Sequence, residues 1–95
     1  MKVTDTPLPG VKIVQPVVHR DDRGFFLETY HQPRYAAAGM RATFVQDNHS
    51  RSIQHTVRGL HMQVSALQAK LVRVLSGEIF DVAVDMRVGS PTFAQ

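Results

Sequence analysis

Apolar and polar positions along the chain alternate in short runs, and the runs predict strands. Val11 to Val18 (VKIVQPVV) is rich in β-branched residues, with Pro16 marking an edge or a bulge. The first ten residues contain two prolines and predict an irregular or edge segment. His19 to Gly24 (HRDDRG) is a polar turn, and Phe25 to Tyr30 (FFLETY) is strand-like. The period then changes. Pro33 to Gly39 (PRYAAAG) places Pro in a first helical turn and Gly just past a last one, which predicts one short helix over residues 33–38. Phe44 to Ser52 resumes an extended pattern, and Thr56 to Gln63 predicts a further strand.

The strongest pattern comes last. Lys70 to Leu75, Ser76-Gly77-Glu78 and Ile79 to Met86 predict a β-hairpin about a Gly-containing turn. Alternation puts Lys70, Val72 and Val74 on one face of the first strand and Leu71, Arg73 and Leu75 on the other. Phe80, Val82 and Val84 share one face of the second strand, opposite Ile79, Asp81, Ala83 and Asp85. Several short strands with one short helix argue for an all-β sandwich or barrel. There is no internal repeat, low-complexity tract or linker.

Composition narrows the class. Ninety-five residues suit one domain, and 43% hydrophobic residues argue against disorder of the whole chain. No apolar run approaches the ~18 residues of a membrane span, and the N-terminus MKVTDTPLPG lacks the apolar core of a secretory signal. The expectation is a soluble, cytoplasmic protein. With no Cys, a disulfide scaffold and thiolate chemistry are excluded. The net charge is +3, and eight of the eleven cations are Arg, whose planar fork suits phosphate and carboxylate. These cations are dispersed, so the clustered footprint of nucleic-acid binding is missing. A small phosphorylated ligand fits them better, although ordinary surface solubility accounts for most.

Three stretches carry more polar residues than strands require. In Gln46-Asp47-Asn48-His49-Ser50-Arg51, alternation separates Gln46, Asn48 and Ser50 from Asp47, His49 and Arg51. The stretch is either a solvated loop or a strand whose amides face a cavity and bond a sugar or base. In Arg58-Gly59-Leu60-His61-Met62-Gln63, His61 is either structural or a base working near neutral pH. Arg58 joins His61 in one pocket only if the strand bulges or twists, and Gly59 is a natural place for that. Lys70 either forms an ion pair with Asp81 or Asp85, or stabilises developing negative charge. His49, His55 and His61 lie six apart, matching no common two-ligand metal spacing. There is no G-x-S-x-G, Walker loop or G-x-G-x-x-G.

Five blocks in this order, DDRGFFLETY (Asp21 to Tyr30), FVQDNHSRS (Phe44 to Ser52), VRGLHMQ (Val57 to Gln63), KLVRVLSGEIFDVAVDMR (Lys70 to Arg87) and SPTFAQ (Ser90 to Gln95), resemble the dTDP-4-dehydrorhamnose 3,5-epimerase family. The resemblance implies a cupin-like jelly-roll β-barrel, a homodimer that exchanges N-terminal strands, no metal or other cofactor, and a dTDP-linked 4-keto-6-deoxy sugar as substrate. It implies that His61 is the base removing sugar-ring protons, that Lys70 lies near the C4 oxygen, and that Arg58 contacts substrate. Gln46, Asp47 and Asn48 match a substrate-binding strand, with Asp47 alternating away from it. Arg23 and Glu28 match nucleotide-binding residues, with Phe26 able to stack on the base. The family's chemistry is consistent with these types. C3 and C5 both lie α to the C4 ketone, so a base and a cation at the enolate oxygen are what inversion needs.

The sequence departs from the family pattern in three places. Met62 stands where an aromatic is common, and VSALQA (Val64 to Ala69) lacks the usual prolines. Family members run to about twice this length, and the half not represented here carries a general-acid Tyr and the acidic partner of the catalytic His. Residues 1–95 are therefore expected to be an incomplete barrel, the N-terminal portion of one epimerase domain. The alternative is an inactive sugar-nucleotide-binding or dimerisation module of that family, and a cupin-fold ketoisomerase is a third possibility.

Overall fold

In the computed structural model, which describes residues 1–95, regular structure is confined to the first forty residues. Strand β1 (Lys2–Asp5) pairs antiparallel with β2 (Lys12–Gln15), and β3 (Val18–Asp21) pairs antiparallel with β4 (Gly24–Leu27). The short helix α1 (Gln32–Ala37) follows. Strand thus predominates over helix, in two small, open two-stranded sheets.

Local chemistry explains each hairpin. Between β1 and β2, Thr6 donates its hydroxyl to the carbonyl of Val11 at 2.8 Å, and Gly10 takes φ +88°. Lys12 and Asp5 are register partners, and their side chains meet at 2.5 Å. Between β3 and β4, the Asp21 carboxylate accepts the backbone N–H of Arg23 at 2.9 Å, tying the two-residue turn.

The helix forms one residue earlier than its sequence pattern predicts. His31 is the N-cap, and its Nδ1 accepts the N–H of Arg34 at 3.3 Å. Gly39 ends it at φ +88°, a conformation that only glycine adopts freely. Tyr35 is the one buried apolar side chain. Its ring meets Tyr30 edge-on at 4.9 Å, Tyr30 meets Phe44 at 5.4 Å, and the Tyr35 hydroxyl donates to the Thr29 carbonyl at 2.8 Å.

The N-terminal pattern needs several corrections. Val11 to Val18 is not one strand, since Pro16 and Val17 separate β2 from β3. His19 to Asp21 belong to β3, leaving only Asp22 and Arg23 as the turn, and β4 stops at Leu27 rather than reaching Tyr30. The irregular N-terminal segment contains β1.

The larger correction concerns residues 41–84. The strands expected over 44–52 and 56–63, and the hairpin over 70–86, are not formed as ladders. No residue from Arg41 to Val84 makes a backbone–backbone hydrogen bond. A ladder requires a neighbour about 4.8 Å away, and an isolated hairpin is marginal without a layer over its apolar face. No layer covers these segments, so Val57, Val64 and Phe80 remain nearly fully exposed. The radius of gyration, 15.5 Å, exceeds the ~12–13 Å of a compact domain of this length.

The chain closes at one further place. Asp85, the only buried charged residue, accepts from the hydroxyls of Ser90 (2.5 Å) and Thr92 (2.6 Å) and from Arg87, folding residues 85–95 into a turn. Its backbone N–H donates to the carbonyl of Gln95 at 2.9 Å.

Candidate functional site

The β3–β4 hairpin assembles one group of candidate residues. Register places His19 opposite Phe26 and Arg20 opposite Phe25. Alternation then puts His19, Asp21 and Phe26 on one face, with Val18, Arg20, Phe25 and Leu27 on the other. The Arg20 guanidinium lies 5.7 Å from the Phe25 ring centre, and the His19 and Phe26 rings are 6.4 Å apart. Arg23 is held to Asp21 through Nη2 at 2.6 Å and Nε at 3.1 Å. The hydrogen bonds from Arg23 hold the Asp21 carboxyl below its ordinary pKa, and Asp21 raises that of Arg23. Residues His19–Asp21 and Arg23–Phe26 line an open groove of ≈ 390 Å³. Cation and exposed aromatic ring therefore share one concavity, a chemistry suited to a phosphate beside a flat base.

Glu28 lies just beyond β4 and is ion-paired with Arg34 of α1. That hydrogen bond is the main cause of its lowered pKa. Glu28 is thus anchored by the helix rather than by the groove.

The second group lies in the unpaired segment. Gln46 Nε2 donates to Asn48 Oδ1 at 3.1 Å, so these two amides share a side as alternation predicts. Asp47 is exposed. Arg58 donates from Nε to the Ser52 hydroxyl at 2.9 Å. His61 sits beside Gly59, its Nδ1 only 3.7 Å from where a Cβ on that glycine would stand. Gly59 has φ +109°, in a segment where the expected strand is not formed and a bulge in it is therefore not seen.

Of the two readings of Lys70, the ion pair is not formed. Lys70 pairs with neither Asp81 nor Asp85, and Asp85 is taken by Arg87, Ser90 and Thr92. These bonds hold the Asp85 carboxyl far below the usual carboxylate range, with the Arg87 guanidinium the largest cause. Neither hydrogen bond nor ion pair links Arg58, His61 and Lys70 to one another or to Gln46 and Asn48. No three His, Cys, Asp or Glu side chains converge. Sequence patterns miss the Asp85 cluster, whose signal is D-x-R followed by S-x-T, and the His31 cap, whose signal is a polar residue two before Pro33.

A second groove, of ≈ 320 Å³, lies between the β1–β2 turn and residues 83–87. Arg87 crosses it, donating from Nη2 to the Pro9 carbonyl at 2.8 Å. No helix is long and apolar enough to cross a membrane.

A family model described as dTDP-4-dehydrorhamnose 3,5-epimerase matches residues 5–95. Curated proteins of that name are similar over the whole of this chain. The Pseudomonas aeruginosa protein is 54% identical, with 53% of its own length covered. The Neisseria gonorrhoeae protein is 53% identical, with 29% covered, and the Salmonella typhimurium protein 52% identical, with 53% covered. The chain thus spans about half the length, or less, of these curated relatives. No solved structure matches it.

Proposed function

The chain belongs to the dTDP-4-dehydrorhamnose 3,5-epimerase family, and from that premise we propose that it supplies the N-terminal portion of such an epimerase. The observation that carries this reading is the match over residues 5–95, together with relatives near 50% identity across the whole chain. Residues 1–95 are then one portion of a cupin-like jelly-roll domain. Residues 41–84, whose backbone groups pair with no other backbone group, are the segment that completed sheets would take up. The protein works in the cytoplasm, in dTDP-rhamnose synthesis, as a homodimer.

In this reading the substrate is dTDP-4-keto-6-deoxyglucose and the product dTDP-4-keto-L-rhamnose. His61 removes the proton at C5 or C3, and the C–H electron pair passes into an enolate whose charge rests on the C4 oxygen. Lys70 stabilises that oxygen electrostatically. A proton then returns to the opposite face of the carbon, inverting it and restoring the ketone. None of these 95 residues is assigned as its donor. Gln46 and Asn48 bond the sugar with their paired amides, with Asp47 between them, and Arg58 contacts the substrate. Arg23, Phe26 and Glu28 receive the nucleotide, the first through its diphosphate and the second through its base.

A second reading is a binding or dimerisation module without turnover. It requires only the β3–β4 groove, where Arg23 and Phe26 lie together, and no partner for His61. One experiment separates the two: incubation of the chain with dTDP-4-keto-6-deoxyglucose in heavy water, with deuterium at C3 and C5 followed by NMR. Exchange that His61→Ala abolishes supports base chemistry. Binding of dTDP without exchange leaves the module, and exchange at C3 alone with a 3-keto product indicates a ketoisomerase.

A further inference from the structure

We propose that His19 is a positioning residue for Phe26, fixing the aromatic surface on which the nucleotide base is received. The inference rests on the nucleotide reading of the β3–β4 hairpin and adds to it a residue that this reading does not use.

The geometry begins with register. His19 and Phe26 are directly opposite in the ladder, so both side chains project from the same face. Their ring centres are 6.4 Å apart with the planes tilted by 39°, within the range of favourable aromatic pairs. Phe26 is nonetheless 72% exposed. One side of its ring is therefore approached by the imidazole while most of its surface faces solvent. An exposed Phe on a two-stranded hairpin would otherwise exchange among rotamers, and binding would have to order it. A neighbouring ring that selects one rotamer reduces that ordering cost.

The same face carries the phosphate-binding candidate. Asp21 follows His19 by two positions and clamps Arg23, and these three line the ≈ 390 Å³ groove together with Phe26. His19 and Arg23 therefore line one groove with Phe26, together with Arg20 and Phe25. On the opposite face Arg20 holds Phe25 in a comparable cross-strand pair, which leaves His19 as the partner that selects the Phe26 rotamer.

The test is titration of the 95-residue chain and its variants with dTDP, followed by isothermal calorimetry. Amide resonances of residues 18–27 report whether each variant keeps the hairpin. His19→Ala is expected to weaken dTDP binding about three- to ten-fold, the range of one aromatic pair. His19→Phe is expected to restore it, and His19→Leu, which supplies bulk without a ring, is not. The double variant His19→Ala/Phe26→Ala should bind no worse than Phe26→Ala alone, since His19 acts through that ring.

If Phe26→Ala and Arg23→Gln weaken binding while His19→Ala does not, the inference is overturned and the nucleotide reading stands. Full rescue by His19→Leu also overturns it, because a ring is then unnecessary. If the wild-type chain binds no dTDP, both the nucleotide reading of this hairpin and the role of His19 are overturned.

Discussion

Arg87 donates from Nε and Nη2 to the two carboxylate oxygens of Asp85, both at 2.9 Å, and from the same Nη2 to the carbonyl of Pro9 at 2.8 Å. This pair joins the last residues of the chain to its first hairpin. Asp85 also receives the backbone N–H of Arg87 and the hydroxyls of Ser90 and Thr92. Asp85→Asn removes the charge that all five donors face. The expected outcome is loss of amide protection at Ala94, which donates to the Asp85 carbonyl, measured by hydrogen exchange. Retained protection would show that the turn over residues 85–95 is held by its backbone bonds alone.

Acid should open the same turn. The Asp85 carboxyl lies below its ordinary value in the folded chain, because Arg87 and the two hydroxyls favour its charged form. A depressed folded pKa contributes stability that is complete above the unfolded value, about 3.9, and is lost as pH falls through the folded one. Glu28 and Asp21 shift in the same direction, through Arg34 and Arg23. Order in residues 85–95 should therefore be constant from neutral pH down to about pH 4 and decline below it. An NMR titration of the Ala94 and Gln95 amides measures this.

The helix and its aromatic cluster give two stability predictions. At Gly39 a Cβ would meet nothing nearer than 4.0 Å, so Gly39→Ala introduces no clash but must hold φ +88°. It should destabilise by about 1–2 kcal/mol. Tyr35→Phe keeps the ring contacts and removes only the bond to Thr29, at a cost of about 0.5–1.5 kcal/mol. Loss of the α1 circular dichroism signal with heating measures both.

The roles proposed for Lys70 and Arg23 differ in what their loss should change. Lys70→Met is expected to lower deuterium incorporation at C3 and C5 by about 10²–10³-fold, as for removal of a group facing a developing oxyanion. It should leave dTDP affinity unchanged. Arg23→Gln should do the reverse, weakening dTDP binding and reducing its dependence on salt. Equal effects of both variants on binding would remove the distinction between the sugar and nucleotide ends.

The legibility of the fold follows the range of the interactions. Helix α1 was readable because Pro33 and Gly39 are local signals, acting on their own turn. The pairing of Gln46 with Asn48 was readable because alternation in an extended chain needs no partner. Strand β3 was not, because His19-Arg20-Asp21 is polar on both faces and its pairing depends on Phe25 and Phe26 across the turn. A Lys70–Asp85 ion pair, one of the two readings of Lys70, is absent for a similar reason. Asp85 had nearer donors in Arg87, Ser90 and Thr92, and a carboxylate with five hydrogen bonds has little capacity for a sixth.

The sequence by itself determined the family, because five ordered blocks of residue types survive without any knowledge of contacts. It also carried the signals of helix α1, to within one residue at each end, since Pro33 and Gly39 act through local backbone preference. Tertiary structure alone decided which strands pair and which side chains share a groove. His19 meets Phe26, and Arg87 reaches Pro9, across distances that no periodicity encodes. Residues 41–84 show the limit most clearly: their alternation predicts strands, but a ladder needs a paired strand, and none of their backbone groups bonds to another backbone group here.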